Sequence, residues 1–255
     1  MSKLMKHFTQ MEEQGETKAN FSGKHFTIFN ITHDFYNLKF VTHINLSHNN
    51  LMNLPYEIEL FSCLKELNVY NNSLKMIPDS LSSIQSLKVL KLGCNSIKLL
   101  PMGMNKLVNL EILDLSVNKL RNDSFPSDFF EFENIRALYL SDNKILDLPD
   151  TFYNMKKLQV LSLRQNRLTQ LPPSLCYCRD LSELHFQHNK IKHISPFLAS
   201  LLHEETFIFR FENNPLIPQI MAAIKLGLHH LANYLSSQDY NVIFNESGIG
   251  EYADF

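Results

Sequence analysis

Glu183 and His185 stand two residues apart, a spacing that puts both side chains on one face of an extended segment. With Asp114 brought to the same face, such a set could take and return protons in acid–base catalysis. Cys176 and Cys178 present two thiols as C-x-C, the beginning of a metal site. Neither set is completed. No second pair of ligands stands at zinc spacing from the cysteines, and Cys178 falls where an inward apolar residue is wanted. No glycine-rich phosphate loop, zinc-binding helix motif or nucleophile elbow occurs anywhere in the chain. The 11 histidines are scattered rather than grouped. The expectation is therefore a chain without catalytic residues, cofactor or metal, in which Asp114 and His185 serve as surface groups.

What positions these residues is a repeating frame. The stretch Ile135-Arg136-Ala137-Leu138-Tyr139-Leu140-Ser141-Asp142-Asn143-Lys144-Ile145 has the form L-x-x-L-x-L-x-x-N-x-L. The same frame starts at Val41, Leu64, Leu87, Leu110, Leu158 and Leu181, with an imperfect copy from Thr206. Successive frames are 23 residues apart, except for 25 between Leu110 and Ile135 and 25 between Leu181 and Thr206. This pattern resembles the leucine-rich repeat. It predicts an α/β solenoid: a curved parallel β-sheet on the concave face, short helices or 3-10 turns on the convex face, and caps at both ends. Residues 1–40 are read as an N-terminal cap with a degenerate repeat, 41–216 as repeats, and 217–255 as a C-terminal capping helix and tail.

Each frame position has a chemical role. Positions 1, 4, 6 and 11 are leucine-type and point inward. Position 9 is asparagine from Asn49 to Asn214, whose amide can donate to and accept from turn backbone that would otherwise be buried unpaired. The Leu54-Pro55, Ile77-Pro78, Leu100-Pro101, Leu148-Pro149 and Leu171-Pro172 pairs place proline at the first position of a helical turn, where its missing N–H costs nothing. The longer segment Arg121–Phe130 is expected to tuck its phenylalanines back into the core. Ile220, Met221, Ile224, Leu228, Leu231 and Leu235 make an apolar helical stripe that should lie across the last repeat. Residues from about Asn241 are expected to be loosely held.

Bulk composition narrows the function. The formal charge is −2, with 24 Lys plus Arg against 26 Asp plus Glu, which gives no net basic field for nucleic acid or an anionic membrane. Four scattered cysteines exclude a disulfide framework. The start of the chain lacks the apolar core of a signal peptide, Ser2 excludes myristoylation, and no run of about 18 apolar residues exists to span a bilayer. A soluble, cytoplasmic monomer is expected.

Strand alternation then places the residues between the leucines on the concave face. Its centre is the small aliphatic series Val89, Ile112, Ala137 and Val160 beside Tyr139, rimmed by charge. An apolar, aromatic centre with a charged rim is how protein interfaces are built. The candidate partner-binding residues are Tyr70, Lys91, Asp114, Tyr139, Asp142, Arg164, His185 and Arg210.

Several stretches closely resemble the Ras suppressor protein family of short cytosolic leucine-rich-repeat adaptors, over about residues 1–240. They are Leu113-Asp114-Leu115 through Asn118, the insert ending Phe129-Phe130, the frame from Ile135 to Asn143, Leu161 to Asn166, and Glu212-Asn213-Asn214-Pro215. The resemblance implies a non-catalytic adaptor at cell–matrix adhesions. Its partner would be a LIM domain of a PINCH-type adaptor, within the integrin-linked kinase–PINCH–parvin complex, with a damping effect on Ras signalling. The alternative is a scaffold of a Ras–Raf or phosphatase pathway without a LIM partner. The chain departs from the family at Ile249–Phe255, which lacks a lysine-rich tail.

Overall fold

The computed structural model describes residues 3–31, 38–202 and 206–248. Met1, Ser2 and the divergent end Ile249–Phe255 lie outside the described residues. Within them, nine three-residue strands form one parallel sheet in sequence order. They are β1 (Lys18–Asn20), β2 (His43–Asn45), β3 (Glu66–Asn68), β4 (Val89–Lys91), β5 (Ile112–Asp114), β6 (Ala137–Tyr139), β7 (Val160–Ser162), β8 (Glu183–His185) and β9 (Ile208–Arg210). The expected solenoid is therefore the observed fold. Its register sets Leu67, Leu90, Leu113, Leu138, Leu161 and Leu184 side by side, all essentially inaccessible. Short 3-10 turns, among them Tyr56–Leu60, Asp79–Ser83 and Pro173–Tyr177, return the chain along the convex side.

The asparagine at position 9 does more than close its own turn. Nδ2 of Asn143 donates to the carbonyls of Leu140 and Ser141 in its own repeat and of Leu115 in the preceding one, at 3.0–3.1 Å. Its Oδ1 accepts the N–H of Leu120, also in the preceding repeat, at 2.9 Å. The same bridge recurs from Phe26 N–H on Asn49 to Ile191 N–H on Asn214. The residue before each asparagine pays in conformation: His48, Asn71, Cys94, Val117, Asp142, Gln165, His188 and Asn213 all have φ between 53° and 58°.

Residues 1–40, read as a cap with a degenerate repeat, contain the strand β1, whose inward positions are Ala19 and Phe21 and where Lys24 stands in place of the asparagine. Three expectations need correction. Pro55 and Pro78 sit one residue before their turns, as extended N-caps (ψ 151° and 142°), because a fixed φ near −70° suits that position equally well. The C-terminal stripe is not one helix: α2 (Pro218–Leu226) and α3 (Leu228–Leu235) are parted at Gly227, whose φ of 114° and ψ of 164° only glycine adopts readily. Of the residues expected to be loose, 249–255 lie outside the described residues and 241–246 are held in a helix. That helix is α4 (Gln238–Glu246), whose Tyr240 is fully buried and donates from its hydroxyl to the Ile194 carbonyl at 2.7 Å while accepting the Ile194 N–H at 3.1 Å.

The long segment packs as expected. Phe129, Phe130 and Phe132 are buried, with ring centroids 5.0–5.4 Å apart and Phe130 5.0 Å from Phe152 of the next turn. At the other end α1 (Lys3–Glu13) rests Phe8 against Phe21 and Phe61, with ring centroids 5.7 and 5.6 Å apart.

Two outcomes follow from this packing. Leu138→Ala should lower the unfolding free energy by about 2–5 kcal/mol through the cavity it leaves, measured by denaturant titration. Val117→Asn should raise it by about 1 kcal/mol, because a β-branched residue is strained at φ 53° whereas asparagine tolerates that region. A drop in stability for Val117→Asn would show that the turn is not strained.

Candidate functional site

Frame positions 3 and 5 come from the strands and positions 7 and 8 from the turns that follow, so the concave surface is rigid by construction. Val89, Ile112, Ala137 and Val160 are cross-strand neighbours in β4–β7. Tyr139 lies beside them, between Asp114 on β5 and Ser162 on β7. The Ser162 hydroxyl is buried against that of Ser141, 2.7 Å away, which leaves a small closed step next to the tyrosine ring.

The structure brings all eight candidate residues onto this surface or its turn edge, and several are already paired. Arg164 Nη2 is 2.9 Å from Asp142 Oδ2, and Lys91 Nζ is 2.9 Å from Glu66 Oε1. Both pairs are partly exposed and therefore worth at most about 1 kcal/mol each, so they orient the cations without locking them away from a partner. The Asp114 carboxylate accepts from the Ser116 N–H at 2.9 Å and from its hydroxyl. It lies over Gly93, where a Cβ would come within 2.8 Å of Asp114 Oδ2, so glycine there is what lets the carboxylate fold down. Tyr70 stacks edge-on to His48, with centroids 5.7 Å apart.

Electrostatics keeps both tyrosines neutral. The Cys94 thiol, burial and Asp114 raise the Tyr70 pKa above its ordinary value; burial, then Glu183 and Asp114, do the same for Tyr139. Each presents a hydroxyl able to donate and accept. His185 is shifted the other way. Burial lowers its pKa, opposed by Glu183 and assisted by Arg210, so the ring is neutral at pH 7. Its Nε2 lies 3.5 Å from Glu183 Oε2 without hydrogen-bond geometry, and is a buried atom with no hydrogen-bond partner among the described residues. Gln187 Oε1, two residues on and missing from the candidate set, is in the same condition. Sequence could show that these residues share a face, but not that the sheet would leave their polar atoms unsatisfied. Such atoms typically cost about 1–3 kcal/mol each until something pairs with them.

The acid–base and metal arrangements do not assemble. Asp114 is three strands from Glu183 and His185 in the sheet order. Among the described residues no group of three His, Cys, Asp or Glu side chains is placed to hold a metal. Cys178 is buried and its thiol is pushed up to about 12, by burial first and by Cys176 second, as befits a core side chain.

The leucine rich repeat sequence profile matches residues 62–120, 85–145, 121–168 and 133–191. The chain belongs to the leucine-rich repeat family. Solved leucine-rich-repeat structures agree in fold. A plant peptide hormone receptor, RGFR1 in complex with RGF2, matches at 23% identity with a TM-score of 0.62, over 78% of this chain but only 31% of the receptor. Internalin C2 of Listeria monocytogenes matches at 22% identity and TM-score 0.63, over 82% of this chain and 84% of the internalin. The Leptospira interrogans leucine-rich-repeat protein LIC12759 matches at 19% identity and TM-score 0.56, over 84% and 72% of the two chains. A comparison with curated proteins finds no match. Leucine-rich repeats generally serve protein–protein interaction. Among the described residues no helix is long and apolar enough to cross a membrane.

The two depressed histidines give a pH test. His193, like His185, is lowered below its ordinary 6.5, by burial first and Lys192 second. A folded pKa below the unfolded one contributes stability that is full above about pH 6.5 and is lost as pH falls below it. The melting temperature should therefore drop between about pH 7.5 and about pH 5.5. His185→Gln with His193→Gln should flatten that drop, and an equally steep drop in the double variant would assign it elsewhere.

Proposed function

We propose that this leucine-rich-repeat chain is a non-catalytic adaptor that holds a compact protein domain against its concave face. The observation that carries the reading is the Val89–Ile112–Ala137–Val160 stripe beside Tyr139, flanked by oriented charges and by the unsatisfied His185 and Gln187 atoms. Nine strands about 4.8 Å apart make an arc on the order of 38 Å long. That is wide enough for a domain of about 30 Å.

The partner is proposed to be a LIM domain of a PINCH-type adaptor in the integrin-linked kinase–PINCH–parvin complex at cell–matrix adhesions, with a damping of Ras signalling. Support comes from the resemblance in the insert ending Phe129-Phe130 and in the strand-and-turn segments that carry Asp114, Tyr139 and Arg164. Interface energy concentrates in a few aromatic and arginine anchors, whose truncation costs about 2 kcal/mol or more. Tyr139 and Arg164 are the anchors, Asp114, Asp142 and His185 set orientation, and Tyr70, Lys91 and Arg210 extend the contact.

Calorimetric titration of the isolated LIM domain tests this. Tyr139→Ala and Arg164→Ala should each weaken binding at least about thirtyfold, while Lys157→Ala, outside the concave face, should bind like the parent. Unchanged binding by both folded concave variants would move the interface to another face. No binding by the parent would remove the LIM partner and favour a Ras–Raf or phosphatase scaffold.

A further inference from the structure

The turns that leave the strands carry a second, separate pattern. Frame position 10 is Lys119, Lys144, Arg167 and Lys190 in four consecutive repeats. Their backbone N–H groups donate to the position-11 carbonyls of Ile97, Leu120, Ile145 and Leu168 in the repeat before, at 2.8–3.0 Å. The four cations are thereby held in one row, a single repeat apart. Position 12 adds Lys75, Lys98, Arg121 and Lys192 beside that row. All eight are exposed, and none is in an ion pair among the described residues. The contrast with the residues that enter the strands is sharp: there Glu111 pairs with Lys88 at 2.8 Å and faces Arg136 at 3.8 Å. A net charge of −2 thus conceals a flank of one sign.

The same flank exposes aliphatic side chains. Met52 and Leu146 occupy position 12 and Met76 and Leu99 position 13, each more than half accessible. Leu99 lines one open depression together with Lys98, Lys119, Arg121, Asp123 and Lys144, so the apolar and basic groups share a surface.

We propose that this flank seats on an anionic membrane surface. Three observations favour a lipid sheet over other polyanions. A solenoid bends about an axis perpendicular to its flanks, so the flank stays flat while the sheet curves, and a flat surface can meet every repeat at once. Position 12 from Lys75 to Lys192 spans five repeat steps, about 24 Å at about 4.8 Å each, and neighbouring charges lie within one Debye length of about 10 Å. Exposed Leu and Met gain by entering the acyl boundary beneath anionic headgroups. A phosphodiester backbone offers them nothing, and frame positions 10, 12 and 13 hold no Phe, Tyr or Trp on which bases would stack.

Co-sedimentation of the full chain with vesicles tests the proposal. Binding is expected to vesicles of phosphatidylcholine mixed with phosphatidylserine, not to phosphatidylcholine alone, and to weaken steeply with salt. Lys119→Glu combined with Lys144→Glu should weaken it by on the order of tenfold or more, and Leu99→Ser should weaken it further. Lys157→Glu, Tyr139→Ala and Arg164→Ala should leave it intact, which separates this surface from the concave one. All these positions are exposed or half-exposed, and thermal melts confirm that the variants are folded. Equal binding to neutral vesicles, parent-like binding by the double variant, or tighter binding to polyglutamate or a single-stranded oligonucleotide would overturn it.

Discussion

The turn that leaves each strand buries more backbone N–H and C=O groups than the backbone can pair by itself, and one asparagine per repeat supplies the difference. Its amide gives two protons and accepts one, which is the deficit left by a left-handed residue followed by a change of direction. Because Oδ1 takes its proton from the preceding repeat and Nδ2 gives one back to it, the side chain joins two repeats as well as closing a turn. Removing it would leave several buried groups unpaired in both repeats, not one. The leucine layers supply the hydrophobic stabilisation, but leucine contacts alone are non-directional. The asparagine bridge fixes which residue stands next to which.

Both candidate surfaces inherit that precision. Strand register places Tyr139 between Asp114 and Ser162, and no side-chain choice on the concave face is needed to hold it there. The position-10 amides fix the basic row by the same stacking, through main-chain bonds that any residue type could make. Apart from Gly93 under Asp114 and the buried Ser141–Ser162 pair, positions 3, 5, 7, 10 and 12 carry little of the scaffold, which is why charge and polarity there report on function more than on folding. The strained φ of Val117 and the buried unpaired His185 Nε2 are the exceptions, places where the scaffold carries a cost that local packing does not explain.

The repeats from Val41 to Asn214 were legible because apolar periodicity and the invariant asparagine coincide there. Legibility failed where one of the two was missing. In β1 the inward residues are Ala19 and Phe21 and the asparagine is replaced by Lys24, so a degenerate repeat was legible there but its strand register was not. In the C-terminal helices a continuous apolar stripe hides the break at Gly227, since periodicity counts residues and is blind to φ. The segment from about Asn241 was read as loose because the anchor just before it, Tyr240, is held by the Ile194 backbone, 46 residues earlier, and that bond carries no sequence signature. Alternation puts Lys91, Asp114, Tyr139, His185 and Arg210 on the concave side of their strands, while Tyr70, Asp142 and Arg164 come from the turns that follow. The pairing of Arg164 with Asp142 depends instead on rotamers that cross between repeats. The basic flank was missed for a simpler reason: net charge averages over faces, and segregation becomes visible only when positions 10 and 12 are read as columns.

Segregation itself has a physical consequence. On a curved solenoid the concave face and the flank are perpendicular, so a domain held in the arc and a lipid sheet beneath the flank do not compete for the same residues. The mixed charges of the concave face, with Asp114, Asp142 and Glu183 among Lys91, Arg164 and Arg210, leave it little drawn to an anionic bilayer. The flank, with Asp123 and Asp147 as its acids beside eight cations, is drawn strongly. Two-dimensional confinement also raises the local concentration of any partner on the same membrane, which strengthens a modest concave interface without a new contact. A repeat fold whose core and turns are fixed by one leucine layer and one asparagine column can carry both functions at once, because each occupies frame positions that the scaffold does not use.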